Sequence, residues 1–218
     1  MATIRMESGR DMGDGIVWLV DIRNWMSSVV FARGITPHEL ALRMGGGLGR
    51  AAEPMTDTEA ELIDMEVWRP GGDGDGVIRV GACAGWSFAI EYGHSTGSER
   101  QAEISRGGVE VVHYVPIQEH PPATVSYTRD GVGLSMFGLG EEDNRYSIEP
   151  DPLLPDLIGA GVLDPSGTRT LAPEDEDFRV TYRRTLGAVE RRFGLSLDRT
   201  YLKDARLPVY AVRGTPRL

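Results

Sequence analysis

The chain has 218 residues, of which 40% are hydrophobic and 26% charged, and we expect one globular domain over residues 1–218. Its apolar runs are shorter than the roughly 20 residues that a membrane span needs, and its start lacks the pattern of a secretory leader, so we expect a cytoplasmic protein that does not bind membranes. The single cysteine, Cys83, excludes an intramolecular disulfide and argues against a cysteine-based metal site.

The start of the chain predicts a short helix followed by one strand. Residues 1–13 show no clear pattern, and we expect them to be loose. Residues 27–33, SSVVFAR, are β-branched and aromatic, which predicts a strand. The short amphipathic helix before this strand is predicted by four residues at helical spacing, namely Trp18, Ile22, Trp25 and Met26.

Two helices with clear start signals follow. In GITPHELALRMGGG, Thr36 is the predicted N-cap, Pro37 takes the first helical position, and Glu39 can reach back to the cap. The glycines at residues 45–47 should end this helix. A second helix begins at Thr56 or Thr58 and ends before residues 69–76, which we predict to be a flexible Gly/Asp loop.

The middle of the chain changes to an alternating, two-residue period from residue 77 onward. Two strands flank a tight turn at Ala84-Gly85, residues 107–117 form a third strand, and two more flank a turn at Asp130-Gly131. This sheet is predicted to end near Gly140. The pattern therefore favours an antiparallel sheet of about five strands.

The last third predicts helices and one further strand. A short helix starts near Asp151 and stops at the glycines of residues 159–161, and a long amphipathic helix ends at Gly194. Residues 207–212, LPVYAV, are predicted to be an edge strand that could pair with another chain. The predicted fold class is α+β, with a central antiparallel sheet of about five strands flanked by N- and C-terminal helices.

The pentapeptide GHSTG at residues 93–97 matches the G-x-S-x-G nucleophile elbow of serine hydrolases, with Ser95 at the nucleophile position. An α/β-hydrolase would also need a later acid and a later histidine on separate parallel strands, each reached by a crossover of a dozen or more residues. The later histidines, His113 and His120, follow too soon for two such units. We therefore predict that Ser95 is a solvent-exposed loop residue without a catalytic role.

Two glycine-rich stretches and the histidines match ligand-binding motifs only in part. GGGLG at residues 45–49 lacks the Lys-Ser/Thr pair of a P-loop and follows a predicted helix where a dinucleotide motif would follow a strand. DGDG at residues 73–76 lacks the third oxygen ligand and the final Glu of a calcium loop. Because none of the four histidines has a metal-ligand spacing, we expect neither a metal site nor a cofactor.

Five residues are candidates for a binding site on the predicted sheet. Trp86 opens a half-buried strand, where a tryptophan is either a core residue or an interface anchor. His113 shares a strand face with Val111 and Val115, so we expect a core histidine that is bonded to the backbone. Four of the candidates could also serve an enzyme, namely Arg33, Glu91, His94 and His113. A cleft that held two or more of them with shifted pKa values would favour this alternative.

The net charge of −10 is unevenly distributed along the chain. Residues 178–218 carry ten Arg/Lys and three Asp/Glu, so the remainder has a net charge of about −17. We expect the two parts to neutralise each other partly, and no nucleic-acid binding, because the arginines form no single stripe. The acidic excess favours a non-catalytic, immunity- or regulator-like protein that masks a basic protein partner. The alternative is an enzyme of unknown class whose site assembles from scattered residues on the sheet.

Several short patterns together resemble a family of actinomycete domains of unknown function. They are V-x-F-A-R-G-I-T-P-x-E-L-x-x-R-M-G from Val29 onward, GACAGWSFAIE, EISRGGVEVVHY and YTRDGVGLSMF. The resemblance covers most of residues 18–197. The chain departs from the family pattern at Ala84, where a Gly-Gly-Trp hairpin is usual, and at Gly108, where Thr is usual. The resemblance implies a bacterial, cytoplasmic, single α+β domain, and it carries over no catalytic residues.

Overall fold

The computed structural model describes residues 14–21, 27–67, 76–93, 95–116, 122–172 and 176–212, with the backbone alone at 47–53 and 63–67. The predictions for residues 1–13, for Ile22, Trp25 and Met26, and for residues 69–75 lie outside this part of the chain. The strands are β1 (Ser28–Arg33), β2 (Gly46–Met55), β3 (Gly76–Cys83), β4 (Trp86–Gly93), β5 (Glu110–Val115), β6 (Thr124–Arg129), β7 (Val132–Gly138), β8 (Tyr146–Ser147) and β9 (Leu207–Val212). The helices are α1 (Pro37–Arg43), α2 (Asp57–Val67), α3 (Thr96–Ile104), α4 (Leu154–Gly159), α5 (Phe178–Phe193) and α6 (Arg199–Asp204), with 3₁₀ helices at Val17–Val20 and Glu142–Asn144.

The described strands form a single sheet in the order β2-β9-β3-β4-β1-β5-β6-β7-β8, and every adjacent pair is antiparallel. The prediction of about five strands flanked by N- and C-terminal helices is therefore wrong, because this sheet has nine strands, although the α+β class agrees broadly with the structure. β1 does not stand apart from the central hairpins but lies between β4 and β5.

The strands that sequence reasoning misplaced have weak or misleading signals. β2 begins at Gly46, inside the glycine run that predicts only the end of a helix. β8 is two residues long and pairs with β7, so the sheet continues beyond its predicted end at Gly140. β9 is a strand as predicted, but it is not an edge strand, because it lies between β2 and β3 and pairs with both.

Local signals place several helix and turn boundaries correctly. Thr36 Oγ1 accepts the backbone N–H of Glu39 at 3.2 Å, and Pro37 is the first residue of α1. The Glu59 carboxylate accepts the backbone N–H of Thr56 at 2.9 Å, which completes the start of α2. The turn at Ala84-Gly85 has φ values of 47° and 81°, the doubly positive geometry of a tight hairpin turn. These predicted caps and this predicted turn are confirmed.

The two faces of the sheet carry different layers of helices. Because successive side chains of a strand point to opposite faces, Phe31, Trp86 and Phe88 join the larger apolar core together with residues of α2, α4, α5 and α6. We call this side the α5 face. Val30 and Ala89 join a smaller core with residues of α1 and α3, on what we call the α3 face. Among the described residues, no helix has the length and apolarity to cross a membrane.

Candidate functional site

Four of the five predicted candidate residues form two pairs on opposite faces of the sheet. Arg33 and Trp86 lie together on the α5 face, at one end of β1 and β4. Glu91 and His113 lie together on the α3 face, on β4 and β5. His94 lies outside the described residues. The structure therefore brings the candidates together in pairs, and not in one shared cleft.

The Arg33 pair belongs to a row of side chains across four strands. The Arg33 guanidinium carbon lies 4.6 Å from the centre of the Trp86 ring, within the range of a cation–π contact. Arg33 Nε also donates to Glu110 Oε2 at 2.7 Å, and the Tyr127 hydroxyl donates to Glu110 Oε1 at 2.9 Å. Burial raises the pKa of Glu110, but the hydrogen bonds from Arg33 and Tyr127 outweigh it, and the net pKa is lowered. These groups hold one another in place across the four strands.

Trp86 anchors the end of α5 to the sheet. Its side chain is 2% exposed, and its Nε1–H donates to the backbone carbonyl of Phe193 at 3.1 Å. The Phe193 ring meets Trp86 edge-on at 6.1 Å and packs on Tyr127 at 4.7 Å. Of the two interpretations of Trp86, core residue or interface anchor, the structure supports the core residue.

The Glu91 pair lies at the centre of a buried polar network on the α3 face. His113 Nε2 lies 3.0 Å from Glu91 Oε2, and each side chain is 1% exposed. On its other side, His113 Nδ1 lies 3.3 Å from Gln101 Nε2 of α3. The Gln101 amide continues the network by donating to Ser126 Oγ at 2.7 Å and accepting from Thr128 Oγ1 at 2.7 Å. The prediction of a core histidine bonded to the backbone is corrected, because His113 is buried but bonded to side chains.

The same carboxylate holds the first turn of α3. Glu91 Oε1 accepts the backbone N–H of Gly97 at 2.6 Å, an N–H that has no partner within the helix. A Cβ added at Gly97 would lie 2.5 Å from Val30 Cγ2, so only glycine lets this turn approach the sheet so closely. The glycine at the end of the GHSTG motif therefore serves the packing of α3, and Glu91 supplies its cap.

Ser95 is not an exposed loop residue. It is half-buried at the N-cap position of α3, which corrects the prediction of solvent exposure. Its hydroxyl lies 3.4 Å from Glu91 Oε2 and 3.0 Å from Ser98 Oγ. A serine nucleophile needs an imidazole next to its hydroxyl, but here the carboxylate lies between Ser95 and His113. Among the described residues, the base next to the Ser95 hydroxyl is therefore the Glu91 carboxylate and not an imidazole, and this carboxylate also orients α3.

A cavity of about 330 Å³ opens on the α5 face, where the end of β7 meets the first turns of α5. Leu139, Gly140 and Glu141 form one wall, and Phe178, Thr181 and Tyr182 form the other. Sequence analysis did not find this site, because its walls come from segments about 40 residues apart in the chain and contain no motif. The helical spacing of Phe178 and Tyr182 was its only signal, and that spacing predicts core packing equally well.

Helix α2 presents an acidic surface next to the opposite edge of the sheet. Its sequence, DTEAELIDMEV, contains five carboxylate residues and no basic residue. Asp57 pairs with the buried Arg79 at 2.9 Å, and Glu59 pairs with Arg206 at 2.9 Å. Glu61 is exposed, and none of the ion pairs among the described residues includes it. Leu62 beside it is 59% exposed. We call the exposed side chains of Thr58, Glu61 and Leu62 the α2 surface.

One buried arginine of the sheet, Arg79, holds α2 in place. Arg79 on β3 is fully buried, and its guanidinium donates to the carbonyls of Met55, Leu202 and Ala205 at 3.2, 2.9 and 2.9 Å. It also bonds Asp57 in the first turn of α2. Because all these partners accept from one group, α2 and α6 have fixed positions relative to the sheet.

No cluster of three or more His, Cys, Asp or Glu side chains in the described ranges is arranged to hold a metal ion. Comparison with known proteins found no match, whether to a family model, to a curated protein or to a solved structure. The resemblance to the actinomycete family therefore stays a prediction, and the functional argument rests on the geometry alone.

Proposed function

We propose that this chain is a non-catalytic binding protein, immunity- or regulator-like, which masks a basic protein partner through the α2 surface. The observation that carries this proposal is the composition of α2, where carboxylates stand on an exposed helix beside an exposed leucine. A patch of this kind suits a partner with Lys or Arg around an apolar contact, because opposite charges speed encounter and buried apolar area slows release.

The charges at the end of α2 support a role beyond helix stability. The last turn of a helix has a partial negative charge, so acidic residues there are unfavourable and basic residues are favourable. In α2 the last turn has no basic residue. The sequence of this helix therefore lacks the positive charge that would favour its own C-terminal end, which suits an acidic surface that meets a basic partner.

Several of the described basic residues near the end of the chain form ion pairs within the fold. Arg183 pairs with Asp21 at 2.6 Å, Arg184 with Glu176 at 3.1 Å, and Arg206 with Glu59 at 2.9 Å. These ion pairs support the expected internal neutralisation. They also argue against a nucleic-acid interface, since that would need free basic side chains on one face.

An enzyme at the α3 network is the alternative, favoured by the proximity of Ser95, Glu91 and His113. Against it, the imidazole and the carboxylate are each only 1% exposed, which leaves a substrate no access to them. The test is hydrolysis of p-nitrophenyl esters by the parent protein and by Ser95→Ala. We expect no turnover that depends on Ser95, and a rate lost in Ser95→Ala would favour the enzyme.

The proposal includes a cytoplasmic location in a bacterial cell. Cys83 supports it, because this cysteine is free and burial raises the pKa of its thiol to about 12. Such a thiol is unreactive and is compatible with a reducing compartment. Fractionation of cells that express the tagged chain tests this part of the proposal, and recovery from the extracytoplasmic fraction would contradict it.

The deciding experiment is affinity purification from the native host at low and at high salt, with the parent protein and two charge-reversal variants. Glu61→Lys changes the α2 surface. Asp143→Lys is the matched control, because it makes the same charge change at an exposed residue beside β7, near the far edge of the sheet. We expect the parent and Asp143→Lys to retain a basic protein at low salt and to release it at high salt, and Glu61→Lys not to retain it.

Two results would contradict the proposal. A retained protein that binds all three proteins equally would not be using the α2 surface. Retention that is insensitive to salt would show an interface in which charge attraction is not the main contribution.

A further inference from the structure

We propose that the cavity between β7 and α5 binds a small organic ammonium ion. This inference goes beyond the proposed function, because it concerns a different ligand class and a site that shares no residue with the α2 surface. It rests on the shape of the cavity, on the aromatic rings in its wall and on the sign of the charges around it.

The cavity has the size of a small-molecule site and an aromatic wall. Its volume is about 330 Å³, at the lower end of the range of about 300–1,000 Å³ for ligand pockets. Phe178 and Tyr182 line it one helical turn apart, with ring centres 5.3 Å apart and planes at 72°. Phe178 is 52% exposed, although the large apolar residues of an amphipathic helix usually face the core. An exposed ring beside a cavity is suited to contact with a ligand.

The charged side chains that line the cavity are both carboxylates. Glu141 and Glu176 both line it, and Glu176 is partly neutralised by Arg184 at 3.1 Å. Glu141 is exposed, and no described side chain forms an ion pair with it. The Tyr182 hydroxyl has no hydrogen-bond partner among the described residues. Its pKa is raised by burial and by the Glu142 and Glu141 carboxylates, so it stays neutral at physiological pH and is available to a ligand.

This combination selects for positive charge over negative charge. An ammonium group is attracted both to the face of an aromatic ring and to a carboxylate. An anion would meet repulsion mainly from Glu141, because Arg184 offsets the charge of Glu176. The Arg179 guanidinium carbon lies 5.3 Å from the centre of the Phe178 ring, so an ammonium ligand at this ring would compete with Arg179. A neutral apolar ligand would fill the volume but would make no use of the carboxylates.

The backbone beside the cavity includes a glycine with a positive φ. Gly140 has a φ of 86°, a conformation that glycine adopts without strain. A Cβ at this position would lie 3.4 Å from Tyr182 Cε1, in the wall of the cavity. Next to it, the Gly140 N–H donates to Glu142 Oε1 at 2.9 Å, which fixes the turn that carries Glu141. The backbone of Glu141 therefore has a defined position at the wall.

The test compares ammonium ligands with neutral analogues of the same shape. The probes are choline with 3,3-dimethylbutan-1-ol, and butylammonium with butan-1-ol, measured by calorimetry and by saturation-transfer NMR at low salt. We expect at least one ammonium ion to bind roughly tenfold more tightly than its neutral analogue, because only the cation gains from the rings and the carboxylates. We expect added salt to weaken that preference.

Three variants locate the binding. Phe178→Ala removes an exposed ring and should weaken ammonium binding roughly tenfold. Glu141→Gln removes one exposed charge and should weaken it several-fold, with little effect on folding. Asp143→Asn is the matched control, an exposed carboxylate two residues from Glu141 that does not line the cavity, and it should bind like the parent. Thermal unfolding of each variant shows whether it is folded.

The proposal would be overturned by equal binding of the ammonium ions and their neutral analogues, which would show an apolar pocket without charge selection. It would also be overturned if no probe bound at about 10 mM, a concentration at which even a weak site is occupied. Ammonium binding that survives both Phe178→Ala and Glu141→Gln would place the site elsewhere. None of these results depends on the α2 surface, so this proposal and the proposed function can fail separately.

Discussion

The α5 face and the α3 face of the sheet are built on the same strands, yet they hold their helices by different means. On the α5 face, Trp86 and Tyr127 pack around the Phe193 ring, and the contact is mainly apolar. On the α3 face, β4 and β5 place Glu91 and His113 under a helix that has few apolar side chains. Helix α5 is held mainly by the burial of apolar side chains, and helix α3 mainly by hydrogen bonds.

The difference shows how a helix with a weak apolar stripe can still have a fixed position. Of the α3 residues, only Ile104 is a large buried hydrophobic side chain. Its first turn is held by Glu91 through the Gly97 N–H, and its middle by Gln101 through His113, Ser126 and Thr128. Buried hydrogen bonds fix direction as well as distance, so a polar network positions this short helix where hydrophobic area alone would not.

Removing the apolar anchor should have the largest effect. Trp86→Ala leaves a cavity under the end of α5 and removes the hydrogen bond to the Phe193 carbonyl. We expect a loss of about 3–5 kcal/mol in the free energy of unfolding, measured by urea denaturation. Tyr146→Ala is the control, because its ring is 59% exposed, and it should change stability by less than about 0.5 kcal/mol. Equal losses would show that Trp86 is not a core anchor.

Weakening the polar anchor should have an intermediate effect. Glu91→Gln keeps the shape but removes the charge that Gly97, Ser95 and His113 share, and we expect a loss of about 2 kcal/mol. Hydrogen exchange at the Gly97 amide should accelerate more than exchange in α5. Glu103→Gln on the same helix, with a side chain 47% exposed, should cost less than about 0.5 kcal/mol. Unchanged exchange at Gly97 would contradict the capping role of Glu91.

A backbone change at the end of α5 tests whether its anchoring depends on the turn that follows. Gly194 has a φ of 65°, and nothing lies within 4 Å of an added Cβ, so Gly194→Ala introduces conformational strain without a clash. We expect a loss of about 1 kcal/mol. Gly133→Ala, which also has open space but no positive φ, should be neutral or slightly stabilising. Similar results for both variants would argue against strain at Gly194.

Two buried or half-buried carboxylates should give opposite pH effects, and these are the smallest expected changes. Burial raises the pKa of Glu142, whose Oε2 has no hydrogen-bond partner in the described structure, so its ionisation destabilises the fold as pH rises. The net pKa of Glu110 is lowered by Arg33 and Tyr127 in spite of burial, so its stabilising effect is present at neutral pH and is lost as pH falls below the ordinary carboxyl range.

The measurement is the free energy of unfolding from about pH 3 to pH 7 for Glu142→Gln, Glu110→Gln and the parent. Relative to the parent, Glu142→Gln should gain stability as the pH rises, and Glu110→Gln should lose it. The effect at Glu110 should be reduced by added salt, because its ion pair with Arg33 is partly exposed. Slopes of the same sign would show that burial and hydrogen bonding do not set the two pKa values in the way described.

The sequence predicted local structure well and long-range structure poorly, for a physical reason. The Thr36 cap, the turn at Ala84-Gly85 and the end of α5 at Gly194 depend on a few neighbouring residues, and their signals are complete within a short window. The pairing of β2 with β9 depends on residues about 150 positions apart, and a glycine-rich strand has no alternating pattern to announce it.

The candidate site followed the same division. Glu91 and His113 were chosen for their chemistry, and the structure does place them 3.0 Å apart, but their burial under α3 could not be predicted without knowing where that helix packs. Ser95 was rejected as a nucleophile on the spacing of the later histidines, while its contact with Glu91 escaped notice. Gln101 had no signal at all, because an amide in a polar helix is usually exposed to solvent.

The position of β9 between β2 and β3 has a consequence for how the chain is made. During synthesis, β2 leaves the ribosome long before its partner, and the outer edge of β3 also waits, until residues 207–212 have emerged. Throughout that interval the nascent protein has an unpaired strand edge. Arg79 also lacks two of its hydrogen-bond acceptors, because the carbonyls of Leu202 and Ala205 are translated just before β9. β9 is therefore the strand that joins β2 to the rest of the sheet, and a nascent chain that still lacks it exposes the edges of β2 and β3 to aggregation.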